Sequence, residues 1–167
     1  MRKLSLSLTV ILSVIFLAAV PLLAADPTPF PQGMKIIPPD KNTVPEKLTD
    51  LSGIWEGGWD FLRGRTQNAA LAVVKLTKDE AIVVYSWGNL NVPDIRRPGI
   101  AKEPGWKRYP GCPVEKAADG HYVITVKLAQ GGSLKLKQTD NKELIHVTLS
   151  AAAGEVADQT RPFTKKK

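Results

Sequence analysis

One cysteine and two histidines in 167 residues leave little for thiol or metal chemistry. A lone cysteine closes no internal disulfide, which excludes a disulfide-stapled miniature fold. A metal centre built from two His and one Cys would need three distant segments to converge. The chain has no Gly-x-Ser-x-Gly elbow, phosphate-binding glycine loop, dinucleotide fingerprint, His-Glu-x-x-His pair or Cys-x-x-Cys pair. No cofactor and no metal are therefore expected. Glycine and proline, at 13 residues each, are too few and too irregular for a fibrous chain. The formal charge of +7 suggests a polyanion binder, but Arg2, Lys3 and Lys165–Lys167 supply most of it from the two ends. Residues 48–164 carry 15 basic and 13 acidic side chains, so nucleic acid is not an expected partner.

What is present begins with Met1-Arg2-Lys3, an apolar run over Leu4–Val20, and the exit Pro21-Leu22-Leu23-Ala24-Ala25. A charged start, an apolar middle and small residues at the end are the layout of an export signal. Residues 1–25 are read as a signal peptide cleaved after Ala25, which leaves a periplasmic or secreted protein with no stable membrane insertion. Cys112 is then a lone thiol in an oxidising compartment. No recognisable Cys/His motif surrounds it, so it is read as partly buried and inert.

Residues 26–47 carry Pro27, Pro29, Pro31, Pro38, Pro39 and Pro45. At that density they form an extended linker, either a tether or a segment lying along the domain surface. From residue 48 the pattern is β. Ile54–Phe61 sets Trp55, Gly57, Trp59 and Phe61 on one face. Asn68–Leu76 has helix-like alanines, but its Val73-Val74 pair and the polar turn before Ala81–Trp87 favour a hairpin. Gly88–Gly105 is an irregular loop broken by three prolines, and Trp106–Glu115 is a strand weakened by Pro110 and Pro113. Asp119-Gly120 turns into Tyr122–Leu128, Ser133–Gln138 alternates Leu inward with Lys outward, Leu144–Leu149 follows, and a last strand covers Asp158–Thr164. About eight short strands in residues 48–164, ahead of a basic tail at 165–167, predict an all-β, small antiparallel up-and-down barrel.

The run Leu51-Ser52-Gly53-Ile54-Trp55-Glu56-Gly57-Gly58-Trp59, opening a β domain after an extended segment, resembles the Gly-x-Trp start of lipocalin-like (calycin) barrels. Tyr85-Ser86-Trp87-Gly88 and Gly105-Trp106 further resemble small barrel modules of exported bacterial proteins. The resemblance implies that Trp55 closes the barrel base under an arginine of the last strand, for which Arg161 is the candidate. The chain lacks the later signature stretches and the disulfide of true lipocalins.

Candidate binding residues follow from the aromatic set. If Trp59, Tyr85, Trp87, Trp106 and Tyr109 meet at one mouth beside the irregular loop, they offer stacking surface to a small apolar or glycan-like ligand. The same rings also suit the filled core of a small barrel. Arg96, Arg97 and Arg108, with Lys102 and Lys107, give the loop a positive excess suited to an anionic group. An alternative is a cell-envelope protein-interaction domain that uses this basic loop, residues 94–108. Glu56 and Asp60 share a strand face but lie roughly 13 Å apart, too far for paired-carboxylate chemistry. A hydrolase or isomerase using Tyr85, Glu56 or Asp60 would need a polar constellation inside the barrel.

Overall fold

The computed structural model describes residues 28–61, 65–90, 103–129, 131–150 and 158–167. A short helix α1 (Glu46–Thr49) precedes eight strands: β1 (Gly53–Phe61), β2 (Arg65–Leu76), β3 (Glu80–Trp87), β4 (Gly105–Lys116), β5 (Tyr122–Lys127), β6 (Ser133–Gln138), β7 (Leu144–Ser150) and β8 (Gln159–Lys165). Each pairs antiparallel with its sequence neighbour, and β8 returns to β1, closing an up-and-down barrel. The expected fold class is therefore the observed one. Closure pairs the first strand with the last near one end, which limits the sheet edge that such a short chain exposes.

Alternation sets the faces as the sequence predicts. In β6, Leu134 and Leu136 are buried and Lys135 is exposed, and β7 repeats this with Ile145 and Val147 inside and His146 outside. The interior is packed by Trp55, Trp59, Leu71, Val83, Ile124, Leu134, Leu136, Val147 and Phe163. β2 is the exception, because Ala69, Ala70, Leu71, Ala72, Val73 and Val74 are all buried. A run buried on both faces needs a second layer outside the barrel.

The proline-rich segment supplies that layer. Phe30, Met34 and Ile36, together with Ile54 and Ile82, pack on Ala72, Val74 and Val84. Val74 sits where the β2–β3 register shifts, and its carbonyl accepts the Ile37 N–H at 2.8 Å. Ser86 donates its hydroxyl to the Pro29 carbonyl. Of the two readings of this segment, the structure shows it lying along the surface from residue 28 onward.

One end of the barrel is plugged. Val44, Leu48 and Leu51 are buried beneath it, the Trp55 indole donates to the Leu51 carbonyl at 3.0 Å, and Gln138 donates to the Lys47 carbonyl. The side chain over Trp55 is Lys165, with Nζ 5.1 Å from the ring centroid, and not Arg161. The register explains the correction: Trp55 lies opposite Lys165, while Arg161 is four residues up β8, roughly 13 Å away along the strand. Arg161 instead pairs with Asp60 at 2.6 Å. Burial lowers the Lys165 pKa, against the opposing pull of Asp50 and Glu143.

Pairing is uneven around the wall. β1 meets β8 only at Trp55↔Lys165 and Glu56↔Thr164, and β4 meets β5 only over Val114–Lys116. Both seams lie near the plugged base. Toward the other end the strand registers continue only within β1–β4 and within β5–β8. Gly57 sits just beyond the β1–β8 seam. A Cβ there would fall 2.7 Å from the Phe163 ring, so the absence of a side chain lets Phe163 lie across β1.

Candidate functional site

The end away from the plugged base gathers aromatic side chains from β1 and β3. Trp59 is 1% exposed and donates its indole N–H to the Tyr85 hydroxyl at 2.9 Å. Its ring is 5.4 Å from Phe163 on the neighbouring strand β8, and Tyr85 is 5.5 Å from Trp87. Three of the expected rings therefore form one chain, running from a fully buried indole to a half-buried one at the rim. Trp87 is fixed by the donation of its indole N–H to the Glu103 carbonyl at 2.9 Å and by Gly105, where a Cβ would fall 2.8 Å from its ring.

Tyr109 shares the inner face through its register with Val83, and the Lys107 ammonium lies 5.7 Å from its ring. Trp106 and Arg108 do not join the mouth. Opposite Ser86 and Val84, they stand on the outer face, and Trp106 is 46% exposed there. Alternation fixes this split, since successive β4 residues must point to opposite sides. Arg96 and Arg97 lie outside the described residues.

Polar groups that the aromatic pattern did not flag complete the site. Gln67 is buried and donates to the Gly88 carbonyl at 3.0 Å, tying β2 to the start of the loop. Gln159 shares the inner face of β8 with Phe163, and its Oε1 is buried with no partner among the described residues. An unmet buried acceptor costs free energy unless something donates to it. The Tyr85 hydroxyl accepts from Trp59, and its own proton has no acceptor among the described residues. Burial raises the Tyr85 pKa to about 12, with the Trp59 bond opposing, so the phenol stays a donor at any physiological pH. Alternation could have pointed to both glutamines, because each falls on an inward position of its strand.

Among the described residues no three His, Cys, Asp or Glu side chains are grouped to hold a metal ion. Glu56 and Asp60 stand outside, paired with Lys166 and Arg161. His121 lies between Asp119 and Asp140 at 3.4 and 3.1 Å, and the hydrogen bond from Lys137 holds the Asp119 carboxyl down at about 2. Cys112 is buried, donates to the Tyr109 carbonyl at 3.3 Å, and has its thiol pKa pushed up to about 11 by burial. A thiol so protonated is a poor nucleophile. Comparison with family models, with curated proteins and with solved structures gives no match for this chain.

Proposed function

We propose that the protein is an exported, non-enzymatic binding module of lipocalin-like type. Its ligand is a small ring-bearing molecule with hydroxyl groups, held at the end of the barrel opposite the plugged base. The observation that carries this reading is the Trp59–Tyr85–Trp87 chain, which pairs stacking surface with a phenol whose proton has no acceptor among the described residues. Gln159 Oε1 supplies the complementary acceptor from β8. A hydroxyl both donates and accepts, so a sugar-like ring meets both needs while its apolar face rests on indole. The plugged base and the inert thiol favour binding over turnover. Export rests on residues 1–25, and the lipocalin-like character rests on the Gly53-Ile54-Trp55 start and the closed barrel.

Native mass spectrometry of the protein purified from its own cells tests this reading. A small-molecule mass excess is expected that is lost in Trp87→Ala. Protein with no bound mass, and with an unchanged spectrum in that variant, would overturn it.

A further inference from the structure

Strand β4 is paired on one side only for most of its length. From Gly105 to Pro113 it is registered with β3, while pairing with β5 begins at Val114↔Ile124. Across the opening, Thr125–Lys127 of β5 pair with β6 alone. In an antiparallel strand alternate residues turn N–H and C=O toward opposite neighbours, so this edge presents backbone donors and acceptors with no strand partner among the described residues.

The edge is blunted at one end and open at the other. Pro110 and Pro113 lack N–H groups, Gly111 has φ of 62°, and the β3–β4 register shifts here. These devices make the stretch after Tyr109 a poor template for a further strand. Gly105–Tyr109 keeps regular register with Trp87–Val83 and has no such device. Its side chains Trp106, Lys107 and Arg108 are exposed. Neither Lys107 nor Arg108 has a carboxylate partner among the described residues, and Lys127 adds a third cation across the opening.

We propose that the Gly105–Tyr109 edge of β4 accepts an extended acidic polypeptide segment as an added strand. Backbone bonding supplies the register, and acidic side chains meet Lys107 and Arg108. Trp106 offers an apolar contact on the outer face. A second copy of this chain fits poorly, because pairing two β4 edges antiparallel about a two-fold axis brings Lys107 and Arg108 toward their own copies, and facing like charges destabilise a strand pair.

The test uses the purified protein with two labelled peptides, (Thr-Glu)5 and (Thr-Lys)5, at low ionic strength. Fluorescence anisotropy is expected to show about threefold tighter binding of the acidic peptide, the size of one exposed ion pair, because its alternate Glu side chains share one face and reach Arg108 or Lys107 but not both. Amide exchange is expected to slow within residues 105–109 when it binds. The K107E/R108E variant, altered only at exposed positions, is expected to reverse the preference while keeping its near-ultraviolet circular dichroism. Equal affinity for both peptides, no binding of (Thr-Glu)5, protection elsewhere in the barrel, or edge amides already protected in a dimer would each overturn the proposal.

Discussion

Lys165 and Trp55 close the barrel as a pair: the ammonium stands 5.1 Å over the indole and donates to the Asp50 carbonyl at 2.9 Å. The contact joins the first strand to the last and both to the segment after α1. Lys165→Ala removes the cation–π contact and the hydrogen bond, so stability should fall by about 1–3 kcal/mol. Lys165→Arg should retain most of it. Urea denaturation followed by tryptophan fluorescence measures both variants.

Tyr85→Phe leaves the Trp59 indole N–H buried without its acceptor. The expected loss is about 1–3 kcal/mol, the cost of an unsatisfied buried donor. A double variant with Trp59→Phe should lose less than the two single losses added together, because the second change removes the orphaned donor. A chemical-denaturation cycle of the four proteins reads this coupling.

Gly57→Ala forces a methyl group against the Phe163 ring and should destabilise by about 1–3 kcal/mol. The strain belongs to one contact. Phe163→Leu in the same chain should therefore restore part of the loss, although Phe163→Leu alone is destabilising. Thermal unfolding of the two single variants and the double variant separates these effects.

Stability should fall at high pH in a defined window. Tyr85 and Cys112 have folded pKa values of about 12 and about 11, raised by burial from ordinary values of 10.0 and 9.0. The fold binds both protons more tightly than the unfolded chain does. Their contribution is thus full below pH 9 and is lost as pH rises through 11 and 12. Denaturant midpoints at stepped pH should show that fall, and Cys112→Ser should shift its onset upward.

The strand order was legible because turn residues and period-2 alternation agree along β5, β6 and β7, where one face is core and the other is water. The surface layer was less legible. The signal for it is the loss of alternation over Asn68–Leu76, where Ala70, Ala72 and Val74 are as apolar as their inward neighbours. Such a run looks helical by its alanines until it is understood as a strand with the barrel core on one face and Phe30, Met34 and Ile36 on the other. The base was hidden for another reason. Lys165 appears in sequence as the first of a lysine tail, and only the register with Trp55 turns it into the cap.

For the site, Trp59 of β1 and Tyr85 and Trp87 of β3 are readable as inward aromatics of two strands that flank β2. Trp106 and Tyr109 were grouped with them by proximity in sequence, yet an odd spacing of three on one strand must send them to opposite faces. Gln67 and Gln159 carry no motif, and their weight comes from being polar on inward positions.

The most direct test of the binding account is a two-dimensional NMR titration of the four indole N–H signals. The ligand panel is maltotetraose, cellotetraose and chitotetraose. Trp59 and Trp87 lie at the proposed site, Trp55 is sealed in the base, and Trp106 faces outward. The account predicts that at least one member of the panel shifts the Trp59 and Trp87 signals saturably and leaves Trp55 and Trp106 in place. Shifts confined to Trp106, or a panel that moves neither Trp59 nor Trp87, would contradict it.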